Sequence, residues 1–345
     1  MAFFSTSIPP DFSPRTVLGD QNSTNDSSCL NEEPEWASSV LEVYILVISV
    51  LGIVFNVFVL LVIILHKKSC TVAEIYLSNL AAADLVLVSF LPFWAVYAGN
   101  KFNWPFGADL CRMINVVITM NAYCSIYFLV LISVDRYLSL VCPLSHERMR
   151  RPKCAKLFCL LVWVWGLFLS APSLIYRKVG PFKNIIICYL DYTGIQRLLF
   201  NGMLIVLSFI IPISIVSYCT VKIIQALKNR LNIHKKDKKA TTLVLAVLLA
   251  FLICWVPFHI MKIIEELARA NVLRGCMFHR VKDICQQIFM YLAFFNSVLN
   301  PILYVVVGKN FQKKVKELFK RSSSMITSAT SFKSKSTYLS RRDKV

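Results

Sequence analysis

Apolar residues fall along the chain in seven blocks, at 43–65, 75–98, 113–140, 157–175, 198–227, 241–264 and 284–307, with short polar segments between them. A helix rises about 1.5 Å per residue, so about 20 apolar residues cross a hydrocarbon core near 30 Å. Lipid offers no partner to a backbone N–H or C=O, which makes each block a helix. The pattern predicts an all-α membrane protein, a seven-transmembrane helix bundle over 38–307. Around it lie a tail at 1–37, a short amphipathic helix at 308–320 and a Ser/Thr-rich disordered tail at 321–345. A large soluble protein with buried helices fits poorly, because such chains rarely combine 57% hydrophobic residues with seven evenly spaced blocks.

Charge orients the bundle. The net charge of +19 is gathered in alternate connections: Lys67 and Lys68, then Arg148, Arg150, Arg151 and Lys153, then the stretch 228–239, then the tail after Lys309. By the positive-inside rule these face the cytoplasm, and the amino terminus lies outside. Anionic headgroups of the lipid bilayer, not nucleic acid, are the expected partners of this charge. The amino-terminal segment carries Arg15 against seven acids through Glu42 and two sequons, at Asn22 and Asn25, which suit glycosylation on a lumenal face. The start Met1-Ala-Phe-Phe lacks the form of a cleavable signal, so the first span is expected to act as an uncleaved one.

Of the twelve cysteines, Cys29, Cys111, Cys188 and Cys276 fall on the exterior side, where sequence alone allows three pairings. Cys111 opens the third span and Cys188 lies in the next exterior loop, so these two are paired. That leaves Cys29 for Cys276.

Ionisable residues at bilayer depth are costly and mark function. Asp84 lies mid-span, with Asn121, Ser125, Asn296, Ser297 and Asn300 at similar depth in other spans. A carboxylate ringed by neutral oxygens suits sodium; a hydrogen-bonded network without an ion is the alternative. Asp135 and Arg136 end the third span, and Arg136 can also reach Asp237 at the base of the sixth. Pro257, after Cys254-Trp255-Val256, and Pro301, after Asn300, each remove a helix hydrogen bond and create a hinge.

With Gly52 to Asn56, Asp84, Trp104-Pro-Phe-Gly107, Cys111, Asp135-Arg136-Tyr137, Trp163, Pro212, Cys254-Trp-Val-Pro257 and Asn300-Pro301-Ile-Leu-Tyr304 in order, the chain resembles the rhodopsin-class G-protein-coupled receptors. It departs from them in the fifth span, where Thr220 replaces the usual tyrosine and Tyr218 stands two positions earlier. The run 66–85, Leu91-Pro-Phe-Trp-Ala95, Met120-Asn121 and Val307-Gly-Lys309 are similar to the bradykinin receptors, the type-2 subtype in particular. The Cys29–Cys276 arrangement also appears in angiotensin and chemokine receptors.

Absent charges narrow the ligand. Ile118 stands where amine receptors carry an aspartate, Phe294 where opsins carry lysine, and Leu204 where angiotensin receptors carry lysine. Glu265, two turns beyond Pro257, and Asp283, opening the seventh span, favour a cationic ligand end; Glu266 faces about 100° away. The resemblance implies that the two acids meet a kinin's amino-terminal arginine and that Arg177 meets a peptide carboxylate. Neutralisation of the acids by Arg269, Arg274, Arg280 or Lys282 is the plainer alternative. Trp94, Asn115, Ile118, Trp255, Phe258 and Phe294 are expected to line a deep pocket, or else to be core. Phe294 and His259 replace the tyrosine and glutamine of type-2 receptors. Thr119, where type-1 receptors carry lysine, implies a preference for the full-length peptide.

The expectation is a multi-pass plasma-membrane receptor for a bradykinin-like cationic peptide. Asp135, Arg136, Tyr137, Asp237, Asn300, Pro301 and Tyr304 would form its G-protein switch, with sodium its allosteric ion. The resemblance implies Gq coupling, phospholipase C and calcium release. The tail serines and threonines suit receptor kinases and arrestin. No activated nucleophile, metal cluster or phosphate loop suggests an enzyme. A receptor for angiotensin-like or chemokine-like peptides is the runner-up, and a secondary transporter, lacking evident repeats, a remote one.

Overall fold

The computed structural model describes residues 35–66, 70–142, 151–182, 184–229, 235–269, 276–307, 311–320 and 323. Seven long helices follow one another: Glu35–Leu65, Val72–Gly99, Gly107–Leu140, Pro152–Ser170, a fifth rod, Lys235–Arg269 and Cys276–Val307. The fifth rod comprises Gly194–Ile205, a π-helical turn Val206–Ile210 and Ile211–Asn229. Six of the seven are long and apolar enough to cross a membrane among the described residues. The seventh is 32 residues long and carries Gln286, Gln287, Asn296, Ser297 and Asn300 among its apolar residues.

Helix ends follow local chemistry. Thr71 caps the second helix: its hydroxyl accepts from Glu74 N at 3.3 Å, and the Glu74 carboxylate accepts from Thr71 N at 2.9 Å. Pro152 opens the fourth helix, where its missing N–H costs nothing. Pro172 starts a separate short turn, Pro172–Tyr176, so the span read as 157–175 is two elements. The sixth helix runs well beyond the expected 241–264 at both ends, since charged flanks of good helix formers continue it.

The π turn has an identifiable cause. Ile211 N bonds to Val206 O, and Pro212 has no N–H to give Leu207 O. That orphan carbonyl accepts from the Tyr127 hydroxyl of the third helix at 3.0 Å. Such turns gather at functional sites, and this one needs a neighbour's side chain to exist.

The third helix is the axis, 72% buried over its spanning window, whereas the first and fourth are 39% and 33% buried. Leu160, Leu161, Val164 and Phe168 are exposed, as lipid-facing side chains should be. Between the fourth and fifth helices, β1 (Arg177–Phe182) and β2 (Ile185–Leu190) form an antiparallel hairpin, with Val179 opposite Cys188. The hairpin is pinned to the third helix by the Cys111–Cys188 disulfide, as expected. It is held further by Trp104 N donating to Ile186 O at 2.7 Å and Ile186 N donating to Asn103 Oδ1 at 2.9 Å. Gly107, at φ 77°, makes the turn from this loop into the third helix.

At the opposite end, residues 311–320 form the expected amphipathic helix. Phe311 packs edge-on against Phe58 at 6.1 Å. Glu317 pairs with His66 at 3.1 Å and Lys314 with Glu74 at 2.9 Å. These contacts fasten the helix to the bundle.

Gly52 lets the first helix approach the second. A Cβ there would lie 2.6 Å from Val88 Cγ1, a β-branched side chain that cannot turn away. Gly52→Ala is expected to cost about 1–3 kcal/mol. Thermal unfolding in detergent checks this: Tm falls in the single variant, and Val88→Ala, itself destabilising, recovers part of the loss in the Gly52→Ala background.

Candidate functional site

Polar assemblies occupy the bundle at three levels, with two of them at the hairpin end. The first is central. Asp84, fully buried, accepts through Oδ1 from Asn121 Nδ2 at 3.1 Å, Ser125 Oγ at 3.4 Å and Ser297 Oγ at 2.9 Å, and through Oδ2 from Asn300 Nδ2 at 2.9 Å. Four of the five partners expected from sequence therefore reach it, from the third and seventh helices. Asn296 is buried, but its Oδ1 has no hydrogen-bond partner, and neither has Asn300 Oδ1. Asn56 extends the assembly to the first helix by donating to Ser297 O at 2.9 Å. Four donors with two spare carbonyl oxygens can satisfy a carboxylate and still offer neutral oxygens to a hard monovalent cation.

The second assembly is at the hairpin end. Arg177 is 1% exposed, and its Nε and Nη1 have no hydrogen-bond partner. Its backbone is anchored, with the carbonyl accepting from Arg112 Nε at 3.3 Å. Burial pulls the guanidinium down to about 10, against smaller upward pulls from Tyr192 and Tyr97. The same burial pushes the Tyr192 hydroxyl up to about 12. Here the chain keeps an incompletely satisfied cation in the interior, which costs stability unless an anion arrives.

On the sixth helix, Glu265 is buried and accepts from Lys262 Nζ at 2.8 Å and from Gln286 Nε2 of the seventh helix at 3.2 Å. Glu266 points elsewhere, as helix geometry requires, and accepts from Asn201 Nδ2 of the fifth helix at 2.6 Å. Lys262 was not among the cations expected beside Glu265. It lies three residues earlier on the same face, and that spacing was the available signal.

Below these groups is a cavity of about 20 Å³ lined by Leu87, Ile118, Asn121, Trp255, Phe258, Met290, Ala293 and Phe294. Four expected pocket residues, Ile118, Trp255, Phe258 and Phe294, line it. Two do not. Trp94 packs on Tyr97 at 5.2 Å, and Asn115 donates to Cys111 O at 2.8 Å and to Cys188 Sγ at 3.4 Å, bracing the disulfide. Thr119 turns its hydroxyl back onto Asn115 O at 2.7 Å. A space of this size holds about one water, so a ligand side chain entering it must move Trp255 or its neighbours. His259 is stacked on Phe209 at 4.9 Å beside it.

The third assembly is at the other end. Arg136 donates through Nε to Asp135 Oδ2 at 3.0 Å, and through Nη2 to the same oxygen. Tyr137 packs against Tyr218 at 5.8 Å and accepts from Cys142 Sγ at 3.7 Å, so Tyr218 meets the tyrosine of the triplet. Pro257 and Pro301 lie inside the sixth and seventh helices as expected. The side chains of Asp237, Asp283 and Tyr304, the Cys29–Cys276 pair, and Asn22 and Asn25 lie outside the described residues.

Comparison with known proteins agrees with this geometry. Residues 55–304 match the family described as 7 transmembrane receptor (rhodopsin family). The B2 bradykinin receptor of Cavia porcellus is 45% identical over 303 residues, 85% of this chain and 81% of that one. That of Homo sapiens is 44% identical over 293 residues, covering 82% and 75%. The B1 bradykinin receptor of Macaca mulatta is 40% identical over 311 residues, covering 86% and 88%.

The chain belongs to the bradykinin-receptor family of rhodopsin-type receptors.

The receptor is therefore a multi-pass membrane protein and not an enzyme. Among the described residues no cluster of His, Cys, Asp or Glu is arranged to hold a metal ion.

The folded receptor holds the Arg177 proton less tightly than the unfolded chain does, so this group costs stability below about pH 10 and costs less as pH rises through that value. Arg177→Met is accordingly expected to raise the ligand-free Tm at neutral pH, measured by thermal unfolding in detergent.

Proposed function

We propose that the chain is a plasma-membrane receptor for a bradykinin-like peptide, with the hairpin end outside the cell and the Arg136 end inside. The observation that carries the ligand class is the buried Arg177 guanidinium with partnerless Nε and Nη1, beside a second charged assembly on Glu265. A buried cation with donors to spare and a buried carboxylate whose internal partner can be exchanged suit a peptide with an acidic and a basic end. A peptide carboxylate would take Arg177, and a cationic amino-terminal residue would take Glu265, with Asp283 as its neighbour in the same role. The B2 and B1 receptors aligned above bear the name of bradykinin, which supports the same peptide here. Thr119, uncharged and turned onto its own helix, offers no cation to a shortened peptide, supporting preference for the full-length kinin.

Ligand entering above Trp255 must repack a cavity that holds about one water. Pro257 lies two residues beyond Trp255, so the displacement falls on the hinge of the sixth helix. Outward movement of that helix opens a groove beside Arg136, which leaves Asp135 for a G protein. Gq coupling, calcium release and later recruitment of arrestin by receptor-kinase phosphorylation complete the reading. Sodium between Asp84 and the spare oxygens of Asn296 and Asn300 would hold the inactive packing of the second, third and seventh helices together.

Cells expressing the chain are expected to release calcium in response to full-length bradykinin, with a much weaker response to the des-Arg peptide and none to angiotensin. A response to des-Arg peptide alone would overturn the Thr119 argument, and silence to every kinin would overturn the ligand. In membranes, added sodium is expected to lower agonist affinity, and Asp84→Asn to abolish that dependence. Equal sodium dependence in the variant would show that the Asp84 assembly holds no ion.

A further inference from the structure

Glu265 is already occupied. Lys262 and Glu265 are one turn apart on the sixth helix, joined at 2.8 Å, with side chains only 3% and 4% exposed. Gln286 steadies the same carboxylate oxygen from the seventh helix at 3.2 Å. The Lys262 ammonium also lies 6.0 Å from the centre of the Phe258 ring, which belongs to the cavity wall. A ligand cation that reaches Glu265 therefore meets a carboxylate oxygen already shared by an internal cation and an amide.

Exchange at such a pair is selective for physical reasons. Removing one member of a buried ion pair without replacing it leaves a charge in a poor solvent, so a neutral ligand end cannot open it. An ammonium offers a point charge equivalent to the one already present. A guanidinium offers a planar fork that meets both carboxylate oxygens at once, which an ammonium cannot copy. The displaced Lys262 has a long flexible stem on which its ammonium can turn away from the carboxylate.

We propose that Lys262 is a specificity-determining residue, an internal counter-ion that holds Glu265 until a guanidinium displaces it. This inference rests on the peptide-receptor reading above and deepens it. Lys262 lowers the affinity of every ligand that uses Glu265, and its penalty is overcome by arginine-ended ligands in preference to others.

The test uses full-length receptor on cells, with surface copies counted by an amino-terminal epitope. Binding is measured for bradykinin and for its analogue with citrulline, the uncharged isostere, in place of the amino-terminal arginine. Lys262→Met is expected to raise bradykinin affinity about tenfold and to leave the citrulline analogue unchanged. Lys262→Arg, which keeps the counter-charge, should return bradykinin affinity towards that of the wild type. In a Glu265→Gln background, Lys262→Met should change neither peptide. Equal gains for both peptides, a loss for bradykinin, or the same gain without Glu265 would overturn the proposal. Should Lys262→Met fail to reach the surface, Lys262→Gln, which also lacks the counter-charge, is measured in its place; unchanged bradykinin affinity would overturn the proposal. Failure of the wild type to bind bradykinin at all removes the functional reading and this inference together. Binding without the expected charge selectivity removes this inference alone.

Discussion

In a bundle bathed by lipid, a polar group directed inward gains nothing from the hydrocarbon, so it is costly unless it finds a partner within the protein or a bound ligand. Apolar contact contributes little orientation here, since a leucine is as comfortable against an acyl chain as against another helix. Direction comes from the polar minority. Asp84 gathers donors from the third and seventh helices onto the second. Asn56 adds the first through Ser297 O, Trp163 joins the fourth to Asn79 of the second at 3.0 Å, and Tyr127 joins the third to the fifth. Each link ties helices that lipid alone would leave free to slide.

The same requirement explains which parts of the molecule were legible beforehand. Spans are read from long apolar blocks, and their existence depends only on backbone satisfaction, so all seven helices were evident. Their ends depend on local caps such as Thr71 and on helix formers among charges, which extended the sixth helix to Lys235 and Arg269. Depth along a helix is equally readable, and it placed four true partners around Asp84. Rotation about the axis is less readable: Asn296 lies one residue from Ser297 and is not bonded to the carboxylate. Trp94 and Asn115 were at pocket depth but were claimed by Tyr97 and by the disulfide. The π turn could not be foreseen, because it needs Pro212 and a hydroxyl from a different helix at the same height.

The two charged assemblies near the hairpin end differ in how they are kept. Arg177 is buried with donors to spare, a cost the fold carries in the absence of an anion. Glu265 is buried and answered by Lys262 and Gln286 from within. One site is held by desolvation and the other by an internal occupant, so arrival of a ligand is a gain at the first and an exchange at the second.

The helix at 311–320 is fastened by Glu74 and His66, and Glu74 serves twice: one carboxylate oxygen caps the second helix while the other meets Lys314. Release of Lys314 therefore leaves the start of the second helix intact. Both ion pairs are non-covalent, so the fastening can open and re-form without chemistry. Because the Lys314–Glu74 pair is largely buried, salt screens it little, and a competing anion must reach Lys314 itself to loosen the base of the receptor.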